Sequence, residues 1–361
     1  MQSNTISRAV QVWLFIGVVM VFFQVVLGGV TRLTDSGLSI TEWNVIQGTL
    51  PPMNEAEWQT AFEQYKQAAK KQYETLHADM TLSEFKVIFF WEYFHRLWAR
   101  TMGFVFLFPF VFFVWKKRLP GWLLKNLGWV IGLASLAAIF GWIMVKSGLN
   151  NDQRTWVSAY KLATHLSIAT ALFGVLFWTW LRAFQPEGGG NPFPELRRFS
   201  RNFIILLCLQ IVFGGLMAGM RAGLIHPHFP FFVEGQRLIH ALSATAEVNV
   251  DGVVDYESGI FMKGVAQVLH RLTAWALFIL GTIFYFRLRQ MPHITPRLRL
   301  GANLQMGMLG LQFLLGVLTI INCIGKVPLF FGAVHQAGAL VLLAIALFVN
   351  YQFSAEKNQS L

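Results

Sequence analysis

Residues 91–100 read WEYFHRLWAR, and residues 267–275 read QVLHRLTAW. Each copy lies within a long apolar run, so each places a histidine and an arginine in a segment that otherwise excludes charge. Glu92 stands three residues before His95, and Gln267 stands three residues before His270. Side chains three apart share a face of an α-helix. The first copy therefore aligns an acid with its imidazole, and the second aligns an amide. A glutamate inside a membrane is costly unless it has a task, whereas a glutamine supplies hydrogen bonds without charge.

The surroundings of these copies set the fold class. The chain has 361 residues, 55% of them apolar and 13% charged, which excludes an ordinary soluble domain. A hydrocarbon core takes about 20 helical residues to cross. Eight segments qualify, near 10–30, 87–115, 126–145, 162–181, 202–220, 264–286, 300–321 and 332–352. No alternating barrel pattern occurs, and an open sheet in lipid would strand its edge groups. The sequence predicts an all-α membrane protein.

The two copies belong to a longer duplication. QVVLGG (24–29) matches QIVFGG (210–215), FHRLWA (94–99) matches LHRLTA (269–274), and His165 pairs with His335. The expected architecture is eight transmembrane helices in two four-helix bundles, residues 1–184 and 199–361, joined by an inner linker over 185–198. Four crossings per half is an even number, so the halves enter the membrane in the same sense and are related by a pseudo-twofold axis along its normal. The linker, QPEGGGNPFPELRR, carries three glycines and three prolines. Gly28, Gly29, Gly214 and Gly215 are expected to let a helix approach either a neighbour or a flat ligand closely.

The formal charge of +11 does not mark a nucleic-acid binder, because its placement follows the crossings. The N-terminus, 116–125, 182–201, 287–299 and the C-terminus hold 14 Lys/Arg against 3 acids; the alternate loops hold 12 against 14. The basic side is cytoplasmic by the positive-inside rule. Both termini then lie inside, with loops 31–86 and 221–263 outside. The opening MQSNTISRAV is short and weakly basic for a transit peptide, which favours a bacterial inner membrane over the mitochondrial one. Cys208 and Cys323 fall within or at the end of apolar segments, and no structural disulfide is expected.

Of nine histidines, five (His77, His226, His228, His240, His293) fall in loops and carry no assignment. His95, His165, His270 and His335 lie one to each even-numbered segment, near its outer end, and so share one depth. A lone intramembrane histidine often only bonds a neighbouring helix. Four at repeat-equivalent places instead supply two axial nitrogens per bundle, the requirement of an iron porphyrin. Zinc is the weaker reading, since two ligands per half make a poor tetrahedral site. Arg96 and Arg271, each next to a histidine, are candidate propionate contacts or lipid-phosphate contacts. Arg32 and Arg221, past the outer ends of segments one and five, are further propionate candidates. Glu92 reads either as the acid or base of the first half or as a plain partner for an arginine.

Taken with GGVTRLTDSGLSITEWNVIQGTLPP (28–52), EYFHRLWAR (92–100), Thr164–His165, HRL (270–272) and AVHQAGAL around His335, the chain resembles the haem A synthase family over nearly its whole length. The resemblance implies an oxidoreductase that converts haem O to haem A by successive hydroxylations of a porphyrin methyl, with electrons leaving through a b-type haem. It implies His95 and His165 as ligands of the substrate haem, His270 and His335 as ligands of haem b, and Glu92 as the catalytic carboxylate. Some bacterial members carry a cysteine pair in an outer loop. This chain has none there and resembles the cysteine-free subgroup of proteobacterial and mitochondrial type. Haem O, the bilayer and, by resemblance, haem O synthase or oxidase assembly factors are the implied partners; nucleic acid is not one, and a homo-oligomer is left open. Two rivals keep the four histidines without a task for Glu92: a dihaem b-type electron-transfer cytochrome, and a haem carrier or chaperone. The outer stretch 53–86 reads as an amphipathic cap over the first pocket or as a solvated helix.

Overall fold

A computed structural model of the chain describes residues 6–42, 50–149, 155–230, 232–244 and 259–354. Residues 43–49, within the longest stretch that carries the family resemblance, lie outside the described residues. Eight helices are long and apolar enough to cross a membrane: α1 (Arg8–Leu33), α4 (Leu82–Trp115), α5 (Gly121–Gly148), α6 (Ala159–Phe184), α7 (Pro194–Gly219), α9 (Ile260–Arg289), α10 (Pro296–Ile321) and α11 (Leu329–Tyr351). Shorter helices α2 (Glu55–Ala68), α3 (Lys70–Leu76) and α8 (Gln236–Ser243) occupy the connections.

The crossings outrun the apolar segments for local reasons. Helix α4 begins at Leu82 because Thr81 and Glu84 form a capping box, each side chain meeting the other's backbone N–H. Helix α7 begins at Pro194, so the last five residues of the expected linker are helical; proline suits a first turn, where its missing N–H is no loss. The rest of the linker is pinned to the second half. Asn191 donates to the Gln352 carbonyl at 2.9 Å and to Thr295 Oγ1 at 3.0 Å, and Tyr351 donates to the Gln185 carbonyl at 2.7 Å.

Helix packing repeats between the halves. In the first, α1 packs on α4 and α6, and α5 packs on α6; in the second, α7 packs on α9 and α11, and α10 packs on α11. The halves meet through α1 against α11, α6 against α7, and α6 against α11. At α7 the approach is close: a Cβ on Gly219 would stand 2.7 Å from Ala159 Cα, and one on Gly215 would stand 3.2 Å from Ala163 Cα. One cluster of buried apolar side chains runs through both halves, from Val10, Leu14 and Leu127 to Leu207, Leu309 and Leu343.

The repeat breaks in one place. Helices α9 and α10 pack together, whereas their counterparts α4 and α5 scarcely touch. Among the described residues, the first half lacks this helix–helix contact.

Segment 54–76 is more than a solvated helix. Asn54 caps α2 by accepting from the Glu57 N–H. Phe62 stacks on Phe85 with centroids 4.9 Å apart, and Trp58 meets Phe89 edge-on at 5.0 Å. The segment is thereby fastened to the N-terminal part of α4.

Candidate functional site

The apolar stripe of each even-numbered crossing turns its histidine inward, and each imidazole rests against a glycine of another helix. A Cβ built on Gly28 would lie 3.1 Å from His95 Cε1, on Gly141 3.1 Å from His165 Cε1, on Gly214 3.3 Å from His270 Cε1, and on Gly316 3.1 Å from His335 Cε1. Those separations are tighter than ordinary contact, so any side chain there would press on the ring. Gly28 and Gly214 therefore make room for imidazoles, while Gly215 makes room for a helix. Gly141 and Gly316 play the same part on α5 and α10, and nothing in the sequence reading had singled them out.

Glutamines surround the rings. Gln24 Nε2 lies 3.3 Å from both nitrogens of His95, Gln210 Nε2 lies 3.4 Å from His270 Nε2, and Gln312 Nε2 lies 3.1 Å from His335 Nδ1. Gln24 and Gln210 open the repeated hexapeptides, so the signal for them was in the repeat itself. The Oε1 atoms of Gln24, Gln210 and Gln312, and Nδ1 of His165 and His270, are buried without a hydrogen-bond partner. An unsatisfied buried polar atom costs about 1–3 kcal/mol. Such atoms gathered around four imidazoles mark a place made to receive something.

What fits is a metal that brings its own equatorial ligands. The rings of His270 and His335 stand with centroids 6.3 Å apart and planes at 83°. Two imidazoles this close could hold one metal ion between them. His95 and His165 form no such close ring pair among the described residues. Nor, among those residues, does any group of three or more His, Cys, Asp or Glu gather as a metal cluster.

Glu92 is the one acid within the eight predicted apolar segments. It is 3% exposed and accepts from Ser39 Oγ at 2.8 Å, the Ile40 N–H at 2.9 Å and Arg96 Nη2 at 2.6 Å. The arginine pairing does form. Arg96 also donates to the carbonyls of Ile40 and Glu42. In the second half Gln267 donates to the Ala222 carbonyl at 2.6 Å, and Arg271 donates to the carbonyls of His226 and His228 at 2.8 and 3.0 Å. The offset that relates QVVLGG to QIVFGG also relates Ile40 to His226 and Glu42 to His228. Each arginine thus binds the same two carbonyls of the loop in its own half, and both sit beside their histidines.

Arg32 and Arg221 are engaged elsewhere. Both pair with Asp35: Arg32 at 3.3 Å and Arg221 at a closer approach. Arg32 also donates to the carbonyls of Ala218 and Gly219 across the interface between halves. The repeat offset makes Asp35, not Arg32, the counterpart of Arg221, and both have a left-handed backbone, with φ of 55° and 49°. Trp156 lies under both guanidinium groups, 4.3 Å from Arg221 and 5.9 Å from Arg32. Opposite charges at equivalent positions tie the halves together just past the C-terminal ends of α1 and α7.

The loop histidines acquire structural places. His77 Nδ1 lies 2.7 Å from the Tyr65 hydroxyl, and burial holds its pKa below the ordinary value. Burial, and then the charge of Asp35, raise that of Tyr65. Burial also pushes the Cys323 thiol up to about 11, against a smaller opposing effect of Arg271. Cys208 and Cys323 are both free thiols.

Residues 11–347 match the family described as cytochrome oxidase assembly protein. The chain is also similar to proteins named heme A synthase. It is 37% identical to that of Flavobacterium psychrophilum over 96% of this chain and 99% of the relative. With that of Nitrosospira multiformis the identity is 38%, covering 97% and 95%, and with that of Caulobacter sp. strain K31 it is 39%, covering 94% of each.

Proposed function

Because this chain belongs to the haem A synthase family of cytochrome oxidase assembly proteins, we propose that its first half oxidises a methyl group of haem O to a formyl group and that its second half holds a b-type haem. The enzyme is an oxidoreductase and a multi-pass membrane protein. The observation that carries the division of labour is that α4 and α5, unlike α9 and α10, scarcely pack on each other among the described residues. A substrate that is itself a haem must enter and leave. Haem O is apolar along most of its surface, so entry from lipid between helices that scarcely pack suits it, and a packed bundle suits a resident group.

On this reading His95 and His165 bind the iron of the substrate and set its orientation. Two hydroxylations at one methyl carbon give a gem-diol, which loses water to the formyl. Where the oxygen comes from water, each hydroxylation releases two electrons, which would leave through a b-type haem in the second half, and two protons, of which Glu92 is the carboxylate placed to accept one. The Ile40 N–H, Ser39 hydroxyl and Arg96 hold it in one position. The matched Gln267 cannot take a proton, which supports assigning chemistry to the first half alone. His270 and His335 would hold the b-type haem, which supplies one-electron transfer when bound. The charge asymmetry of the loops supports cytoplasmic termini in a bacterial inner membrane, with Arg96 and Arg271, beside their histidines, as the better placed propionate contacts.

Pigment extraction tests the function. Cells that make haem O but lack any other source of haem A should contain haem A once this protein is expressed. Unchanged haem O would support the dihaem cytochrome or the carrier in its place.

A further inference from the structure

The four imidazoles differ in what stands behind them. Gln312 lies one turn before Gly316 on α10, and its amide nitrogen donates to the His335 carbonyl at 2.8 Å while lying 3.1 Å from His335 Nδ1. One side chain thereby grips both the backbone and the ring of the same histidine. An amide offers a donor and an acceptor, so it serves either tautomer of the ring. Its Oε1, buried without a partner, is an acceptor in reserve for Nδ1–H.

In the first half Gly141 stands against His165 as Gly316 stands against His335, each with a Cβ position 3.1 Å from Cε1. That contact fixes the register between α5 and α10. One turn before Gly141 comes Ala137. The Ala137 methyl cannot hydrogen-bond, so only the Ala137 backbone stands beside the His165 ring, and its Nδ1 has no side-chain partner among the described residues. The remaining two rings, His95 and His270, have Gln24 and Gln210 beside them. Three of the four imidazoles therefore have a glutamine, and His165 does not.

We infer that Gln312 is a positioning residue that makes the axial pair of the second half permanent, and that Ala137 leaves His165 as the exchangeable ligand through which the first half takes up and releases its haem. A partner on the outer nitrogen orients an imidazole and raises its basicity, and its loss weakens metal binding by about 10–100-fold. A ring held by the backbone alone, with no side-chain amide, has less to order it each time the ligand arrives. The identity of the exchanging haem as substrate rests on the proposed function; the contrast in grip does not.

The test follows haem release, not turnover. Purified protein carrying ferric haem is mixed with excess apomyoglobin, and transfer is read from the visible spectrum; H165A assigns the phase that belongs to the first half. Wild type should release in two phases, with the second half slow and low-spin. Q312L fills the space without a hydrogen bond, and should speed the slow phase by about 10–100-fold and raise a high-spin signal in electron paramagnetic resonance. Q312E keeps an acceptor for Nδ1–H and should restore the slow phase with altered low-spin g-values. A137Q should slow the fast phase by a similar factor. An unchanged slow phase and low-spin spectrum in Q312L overturns the inference, as does an unchanged fast phase in A137Q, which decides the matter if Q312L does not fold. Failure of wild-type cells to make haem A would sink the proposed function and leave both release phases readable.

Discussion

The two halves place four histidines on four glycines with nearly the same separations, yet they differ at a handful of matched positions. Glu92 faces Gln267, Ala137 faces Gln312, Asp35 faces Arg221, and the scarce α4–α5 contact faces the packed α9 and α10. The scaffold is common to both, so any division of tasks has to come from these few differences. The acid, the missing amide and the scarce contact all fall in the first half, where an exchanging substrate would need them. The second half has the α9–α10 contact and the clamped ring, which suits a group that stays. The Asp35–Arg221 contrast is of another kind: opposite charges at equivalent sites make the interface between the halves self-complementary.

The sharpest way to break this comparison is to remove a ligand. H270A or H335A should abolish the stable low-spin haem signal of the purified protein, whereas H165A should leave that signal in place; an optical spectrum with haem quantification reads both. Making the first half resemble the second comes next. E92Q should lower the rate of haem A formation by about 10²–10⁴-fold, the usual worth of general acid–base catalysis, with the second-half spectrum unchanged; a normal rate would remove Glu92 from the chemistry. Filling a glycine sharpens the comparison further. G316A presses on His335 Cε1 and should cost about 1–3 kcal/mol of overpacking, seen as weaker haem retention in the second half, while G141A should disturb only the first.

Smaller effects probe the seam and segment 54–76. D35A leaves Arg32 and Arg221 facing each other and should destabilise the protein by about 1–2 kcal/mol, measured by thermal unfolding in detergent, with a double-mutant cycle against R221A isolating the pair. Acidification should loosen segment 54–76. His77 is held neutral, with its folded pKa below the unfolded value, so the unfolded segment binds more protons in between. The stabilisation is complete above about pH 6.5, the ordinary histidine value, and is lost as pH falls below it. Protection factors for amide exchange over α2 and α3, corrected for the intrinsic pH dependence, should fall between neutral and acidic pH, and H77Q should flatten that change. Tyr65, Asp35, Arg221 and Glu84 are the groups that act on this ring.

The crossings were legible because spanning a bilayer imposes a one-dimensional rule on the chain, and each of the eight expected segments falls on an observed helix, two of them (202–220 and 332–352) running one residue past its end. Their ends were not, because capping is local chemistry that apolarity does not report, as at Thr81 and Pro194. The same holds for Arg32 and Arg221, which the sequence grouped by distance from a helix end. The structure groups Arg221 with Asp35 instead, because the repeat offset and the left-handed backbone put those two residues in equivalent places.

The sequence alone determined that this is a membrane protein with eight crossing helices, that it is internally duplicated, and that one acid distinguishes otherwise similar histidine motifs. These are properties of periodicity and offset along one chain. Only the tertiary structure decided which glycine faces which imidazole, that Ala137 stands where Gln312 does, and that Asp35 meets Arg221 from 186 residues away. Such contacts join different helices, and their partners are chosen by how the helices pack, a choice that no local pattern encodes.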